Sequence, residues 1–182
     1  MGRMWTLVLD TATPYLSLGL FRGEAGVGRV KRVERRHEEV LFGLLEEVLR
    51  EVGAGREEIG ALVLGEGPGS YTGLRIALAA GLGLAQALGA RVFGASSLLA
   101  ACWPYLKEGA PLTPLFTARH GLFYGPTYTL EGGRPKEVAP PRKLKATELP
   151  REGRLLLDAP PDPRALYELL PFAHEGVEPL YL

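Results

Sequence analysis

The feature that most constrains the fold is a glycine-rich stretch at residues 65–75, which reads GEGPGSYTGLR. It follows a short apolar run at 61–64, which predicts a buried strand, and it precedes a long apolar segment at 76–88, which predicts a helix. The glycines therefore lie at a strand-to-helix turn, where the backbone needs either a positive φ or space for a close neighbour. Ser70 is predicted to cap the helix, and Pro68 is predicted to end the strand.

Two well-known phosphate-binding motifs do not match this turn. A P-loop needs a lysine directly after its last glycine, and no lysine occurs between Lys31 and Lys107. A dinucleotide fingerprint needs a third glycine where Ser70 stands and an acidic residue about 20 positions further on, and neither is present. An anion could still bind the N–H groups at the helix start, or the glycines could serve only to pack the helix closely on the sheet. The residues favour the packing interpretation.

Composition narrows the class of protein. With 21 basic and 21 acidic residues the net charge is zero, which predicts weak nucleic-acid binding by the chain alone because phosphate neutralisation dominates that affinity. The single cysteine excludes an internal disulfide and suits a reducing compartment. We expect a cytoplasmic protein with no membrane contact, because the start of the chain has no leader pattern and the longest apolar run is too short for a bilayer. The absence of asparagine fits a thermophilic source, although a GC-rich genome would also deplete it.

The order of predicted elements is β-β-β-α-β-α-β-α, and Asp10 ends the first strand. This order is that of a ribonuclease H-like domain, the unit that actin-like and Hsp70-like ATPases duplicate. Residues 114–124 again read as strand, polar turn and strand, with Thr117 where Asp10 stands in the first half. We therefore predict an α/β fold of two ribonuclease H-like lobes. Residues 1–101 form the lobe with the glycine turn, and residues 102–182 form a truncated second lobe.

Metal-dependent phosphoryl transfer on this fold would need carboxylates at the ends of the first strands of both halves. The first half offers Asp10, but the second offers Thr117, whose neutral hydroxyl cannot replace a metal-binding charge. Asp10 is therefore predicted to be structural, bonding within its own turn. Contact with a ligand is the alternative.

The remaining reactive residue types give no catalytic pattern. No two histidines share a helix face at the i,i+4 spacing of a metal pair, Cys102 has no histidine near it in sequence, and Ser70 lacks the G-x-S-x-G elbow of hydrolases. We predict that His37 is solvated, that His120 belongs to a turn and that Cys102 is a buried inert thiol. The sequence thus predicts no catalytic residue, no metal and no cofactor.

Two of the predicted helices carry an unusual side. In the first, over residues 35–52, Phe42 and Leu49 widen the apolar stripe. In the second helix, small residues recur every four positions; they are Gly73, Ala77, Gly81, Ala85 and Gly89. Interior glycine costs about 0.5–1 kcal/mol relative to alanine, so close packing must compensate for it. That packing could be within the lobe or against a partner. We predict a partner interface formed by Val40, Phe42, Leu49, Gly73, Ala77, Gly81 and Ala85.

Several segments resemble the TsaB (YeaZ) family. They are residues 9–13, the start of the first helix at His37 and Leu41, the run GPGSYTGLR at 67–75, the segment 94–98 and the closing segment 177–182. The resemblance is dense over residues 4–102, and the GPGSYTGLR run is highly specific. This chain departs from the family pattern in having Glu66 where arginine is frequent and Thr117 where aspartate is frequent, and its second half is short.

The resemblance implies a function. The family is a bacterial subunit needed to make threonylcarbamoyladenosine at position 37 of tRNA, and it is a catalytically degenerate relative of the transferase TsaD. It pairs with TsaD, it is joined by the ATPase TsaE, and we expect it to form a homodimer when alone and to meet tRNA only indirectly. A vestigial nucleotide site is implied at Asp10, Thr11, Gly67, Gly69 and Ser70. The alternative is an enzyme, either a small actin-like ATP-dependent kinase or a glycoprotease-like hydrolase.

Overall fold

The computed structural model describes residues 4–181, so Leu182 of the predicted closing segment lies outside the described residues. These residues form twelve strands and four α-helices. The strands are β1 (Trp5–Asp10), β2 (Tyr15–Arg22), β3 (Ala25–Arg32), β4 (Ile59–Gly65), β5 (Arg91–Ala95), β6 (Leu112–Thr117), β7 (Leu122–Tyr124), β8 (Thr127–Glu131), β9 (Arg134–Ala139), β10 (Lys143–Lys145), β11 (Arg154–Leu157) and β12 (His174–Glu175). The helices are α1 (His37–Val52), α2 (Tyr71–Leu88), α3 (Ser97–Cys102) and α4 (Pro163–Glu168).

The first sheet has the strand order β12-β5-β4-β1-β2-β3. The strands β1, β4 and β5 run parallel, whereas β2 and β3 form antiparallel hairpins next to β1. All six residues of β1 are buried, as expected for a strand that is covered on both faces. This arrangement confirms the predicted α/β, ribonuclease H-like fold.

The second sheet repeats part of the first. β6 lies antiparallel to β8, β8 lies antiparallel to β9, and β11 lies parallel to β6, which matches the relations among β1, β2, β3 and β4. The strands β7 and β10 are additional and extend the sheet beside the end of β6. The second half therefore repeats the first, but the counterpart of β2 is β8, and β7, the second strand of the repeat expected at 114–124, is one of the additional strands.

The end of the chain returns to the first lobe. Helix α4 packs against β1 and β2, and β12 pairs with β5 of the first sheet. The predicted boundary at residue 101 assigned this segment to the second lobe, so that assignment is wrong for residues 163–175. Sequence spacing could not reveal it, because the contacts join residues about 80 or more positions apart. Within residues 4–181, no helix is long and apolar enough to cross a membrane.

Helices cover both faces of the first sheet. On one face, side chains of α1 and α2 share a core with alternate residues of β1, β2 and β4. On the other face, α3 and α4 pack on Val8, Phe21 and Val63. Because successive residues of a strand point to opposite faces, β1 contributes Leu7 and Leu9 to the first core and Val8 to the second.

The small-residue side of α2 faces this core and not a partner, so that part of the predicted interface is wrong. Gly73, Ala77, Gly81 and Ala85 are all buried within the lobe. A Cβ at Gly81 would lie 2.6 Å from Cδ2 of Leu64, which shows how closely the helix approaches β4. Leu49 of α1 is also buried in the same core. The glycines are therefore compensated by close packing of helix on sheet, the alternative that the sequence left open.

Two glycines of α2 allow a direct test of this packing. We expect Gly83→Ala to stabilise the protein by about 0.5–1 kcal/mol, because a Cβ there meets no other group within 4 Å. Gly81→Ala gains the same helix propensity but overpacks Leu64, so it should be less stable than Gly83→Ala by about 1–3 kcal/mol. Denaturant unfolding of the two variants measures the difference. Equal stabilities would show that the core does not constrain position 81.

Candidate functional site

The turn after β1 is fastened to the start of α2. The Ser70 side chain accepts a hydrogen bond from the Gly73 N–H at 3.0 Å, which confirms the predicted N-cap. The Ser70 N–H donates to the Ala12 carbonyl at 3.1 Å. The Thr11 hydroxyl donates to the Gly73 carbonyl and accepts from the Ala77 N–H at 3.1 Å. The predicted nucleotide-site residues Asp10, Thr11 and Ser70 therefore lie together, but their hydrogen bonds are made within the chain.

The glycines of the turn make room for these contacts. A Cβ at Gly65 would overlap the Asp10 carboxylate, one at Gly69 would overlap Ala12, and one at Gly73 would overlap the Thr11 carbonyl. Gly67 has a φ of +89° and lies under the carbonyl of Leu180. Each of the four glycines is thus explained by a close neighbour in the same chain. This geometry agrees with the packing interpretation of the glycine turn.

Asp10 is buried at the centre of this arrangement. One carboxylate oxygen accepts the Ala12 N–H at 2.9 Å, which is the bond within its own turn that the sequence predicted. In the described part of the chain, the other oxygen has no hydrogen-bond partner of good geometry, although the Ser97 hydroxyl lies beside it. Burial raises the pKa of Asp10 to about 6, and the nearby Ser97 hydroxyl, the hydrogen bond from the Ala12 N–H and the charge of His37 only partly oppose it. Near neutral pH, Asp10 thus carries a charge that its surroundings disfavour.

Glu66 fastens the end of the chain over the glycine turn. Its carboxylate accepts hydrogen bonds from His174 Nε2 at 2.6 Å and from the Glu178 N–H, and its carbonyl accepts the Leu180 N–H at 2.8 Å. The rings of Tyr71 and Tyr181 lie 5.1 Å apart. The C-terminal segment (residues 174–181) therefore packs against the glycine turn. The sequence analysis did not predict this role of Glu66. A glutamate between two glycines of a turn could have indicated a structural contact.

The end of β6 carries a carboxylate after all. Asp158, which follows β11, accepts hydrogen bonds from the Thr117 N–H at 2.7 Å and from the Thr117 hydroxyl at 2.6 Å. The sequence assigned only a neutral hydroxyl to this position, because the partner lies 41 residues away. Among residues 4–181, no three side chains of histidine, cysteine, aspartate or glutamate lie close enough to hold a metal ion.

The other predicted residues have mixed outcomes. His37 is buried and its Nε2 lies 2.8 Å from the Thr13 carbonyl, so the prediction that it is solvated is wrong. His120 lies in a turn with a φ of 60°, and Cys102 is fully buried, where burial raises the pKa of its thiol to about 12; both predictions are confirmed. Val40 is half-buried, whereas the side chain of Phe42 is exposed.

The outward side of α2 carries an apolar residue that the sequence analysis did not select. Leu82 is 46% exposed, and Phe42 of α1 is 48% exposed. Both helices lie on the same face of the first sheet. The signal in the sequence was present, because Leu82 stands on the side of α2 away from the buried small residues.

The contact between Glu66 and His174 should depend on pH. Burial alone lowers the pKa of His174, but the hydrogen bond and charge of Glu66, then the Glu175 carbonyl and the Glu178 charge, outweigh it and raise the pKa. Because the folded-state pKa lies above the ordinary value of about 6.5, the stabilisation is full below that pH and is lost as the pH rises through the folded value.

We expect NMR titration to give a His174 pKa above about 6.5 in the native chain and a lower one in Glu66→Gln. Glu175→Gln is the matched control, because that carboxylate pairs with Arg91 and not with the imidazole. A His174 pKa that is unchanged in Glu66→Gln would contradict the assigned contact.

Comparison with known proteins identifies relatives of this chain. The family model described as TsaD, tRNA N6-adenosine threonylcarbamoyltransferase, matches residues 31–155. The tRNA threonylcarbamoyladenosine biosynthesis protein TsaB of Escherichia coli is 34% identical over 69% of this chain and 55% of its own length. TsaB of Bacillus subtilis is 25% identical over 78% of this chain and 62% of its own length. The match thus spans little more than half the length of these relatives.

Solved structures agree with this fold. YeaZ from Pseudomonas aeruginosa has a TM-score of 0.86 at 24% identity and covers 98% of this chain and 100% of that one. A second structure, described as an uncharacterised protein with similarity to peptidase YeaZ from Pseudomonas aeruginosa, has a TM-score of 0.85 at 25% identity over 98% of this chain. The chain therefore belongs to the TsaB (YeaZ) family.

Proposed function

We propose that the protein is a non-catalytic scaffold subunit for threonylcarbamoylation of adenosine 37 in tRNA. The observation that carries this proposal is family membership, because curated relatives are named as tRNA threonylcarbamoyladenosine biosynthesis proteins. The match to the TsaD family model supports descent from a common ancestor with the transferase. Homologues with corresponding helices can pair through equivalent surfaces, as two copies of one chain do.

The proposal that the subunit is non-catalytic rests on the state of its reactive groups. The Asp10 carboxylate is buried against Gly65, Ser70 is used as a helix cap, and Cys102 is a buried thiol. The C-terminal segment packs against the glycine turn. Each of these groups is buried or already hydrogen-bonded within the chain, which supports a non-catalytic role.

One observation favours the alternative function of an ATP-dependent kinase. Asp158 supplies a carboxylate at the end of β6, the position that corresponds to Asp10 in the first lobe. Two such strand-end carboxylates are what metal-dependent phosphoryl transfer on this fold would use. Glycoprotease-like hydrolysis has no comparable support.

The surface proposed to bind TsaD is the outward side of α1 and α2, which replaces the buried small-residue side. Phe42 and Leu82 expose large apolar side chains there. Gly43 and Gly83, next to them in sequence, have open space where a Cβ would lie, so a partner helix can approach the backbone closely. We propose a four-helix contact at this outward helix face, used by TsaD and, in its absence, by a second copy of this chain. TsaE would join the larger complex.

We expect Phe42→Glu and Leu82→Glu to abolish co-purification with TsaD and to convert the isolated chain to a monomer. The reason is that each change buries a carboxylate without a partner in an apolar contact. Val138→Glu on β9 is the matched control, since Val138 is 55% exposed but lies in the second lobe. Light scattering measures the mass of the particle in solution and so distinguishes monomer from dimer. A pull-down measures association with TsaD. Variants that stay folded and still bind TsaD would place the contact elsewhere.

We expect the purified chain to hydrolyse neither ATP nor peptides above the rate of an Asp10→Asn/Asp158→Asn double variant. The measurement is phosphate release with Mg²⁺ present and peptide cleavage without it. ATP turnover that the double variant loses would favour the kinase alternative over the scaffold.

A further inference from the structure

We propose that a strip of unpaired basic residues on the second lobe contacts the phosphate backbone of RNA. The basic strip consists of Arg119, Arg142, Lys143 and Lys145. The inference rests on the proposed function, because the names of the relatives make tRNA the RNA in question. It differs from the expectation that the chain contacts tRNA only indirectly.

The fold brings these four residues to one edge of the second sheet. In the pairing of β10 with β7, Lys145 lies opposite Leu122 and Lys143 opposite Tyr124. Arg119 lies in the turn directly before Leu122. The carbonyl of Arg142 accepts the Gly125 N–H at 2.9 Å, which holds the start of β10 against the end of β7. Residues that are more than twenty positions apart in sequence thus lie together at one edge of the second sheet.

The strip is more positive than the neutral chain as a whole. The two segments that form it, 118–126 and 140–147, contain no acidic residue. No ion pair is formed by its four side chains with any residue in the described range, in contrast to Lys31, Arg56 and Lys136, which pair with glutamates. Two acidic residues flank it. Glu148 accepts the Lys145 N–H at 2.8 Å, and Asp158 accepts both hydrogen bonds from Thr117.

The side chains of the strip suit a polyanion with regularly spaced charges. Lys143 and Lys145 are both exposed, and as alternate residues of one strand they point to the same side, about 7 Å apart along it. The ammonium of Lys143 lies 6.0 Å from the centre of the Tyr124 ring. Cations beside an aromatic ring are the combination that proteins use to hold nucleic-acid strands. An acidic protein surface would be held by the same charges, and the experiment separates the two.

The strip is too small for tight binding by itself. Four phosphate contacts give affinity in the range of non-specific binding, roughly 10⁻⁴ to 10⁻⁶ M at physiological salt. The isolated chain should therefore bind tRNA weakly and with a clear salt dependence. In the complex with TsaD, the strip would add its contacts to those of the partner.

The test compares two variants with the same change in net charge. Arg119→Gln/Lys143→Gln/Lys145→Gln removes three charges of the strip, and Lys31→Gln/Arg56→Gln/Lys136→Gln removes three that are already paired. Binding of fluorescent tRNA is measured between 50 and 200 mM salt, roughly the range in which phosphate contacts are lost. We expect the strip variant to bind at least about tenfold more weakly at low salt. Its slope of log K against log salt should be shallower by about 2–3, while the control stays near the native values.

Equal losses in the two variants would show an effect of net charge alone and overturn the proposal, as would native binding by the strip variant. If only binding of an acidic protein, including TsaD itself, is lost, the strip serves a protein partner and the RNA proposal is wrong. A pull-down with TsaD distinguishes failure of the RNA proposal from failure of the proposed scaffold function. If the strip variant still binds TsaD, any change in tRNA binding does not come from loss of the scaffold contact.

Discussion

The structure of the first lobe depends on the contact between the turn after β1 and the first turns of α2. The Thr11 hydroxyl bridges the Gly73 carbonyl and the Ala77 N–H, and the Ala12 carbonyl accepts the Ser70 N–H. These bonds require the helix to approach the strand at backbone distance, which a side chain at position 69 or 73 would prevent. The small residues of α2 therefore face the sheet, because the side of the helix that begins at Gly73 packs on Leu64 at Gly81. Its opposite side is left for other contacts.

Periodicity predicted the elements, and local chemistry predicted their ends. The cap at Ser70 and the bond of Asp10 within its own turn follow from short-range rules, and the structure has both. What could not be predicted depends on long-range pairing. A row of small residues predicts close packing without saying against what, so its assignment to a partner was wrong. His37 can be buried because its Nε2–H donates hydrogen bonds to carbonyls more than twenty residues earlier in the chain. Asp158 contacts Thr117 only because β11 pairs with β6.

Two buried carboxylates near the glycine turn are stabilised in different ways. Asp10 has a single hydrogen bond of good geometry, so burial dominates and its pKa rises to about 6. The Glu66 carboxylate has two partners from the C-terminal segment, His174 and the Glu178 N–H. Glu66 therefore holds the C-terminal segment against the glycine turn. A residue that looks like a departure from the family pattern is, in this chain, the attachment point of its own C-terminal segment.

A net charge of zero conceals an uneven distribution of charge. On the first lobe, Arg29 and Lys31 of β3 pair with glutamates of α1. The outward helix face carries the exposed apolar residues Phe42 and Leu82. On the second lobe, the basic strip forms no ion pair within residues 4–181. The outward helix face belongs to the first sheet and the strip to the edge of the second. Because the two surfaces share no residue, a protein held at one does not occupy the groups that would hold RNA at the other. This separation is what a subunit needs if it is to support a catalytic partner and contact that partner's substrate at the same time.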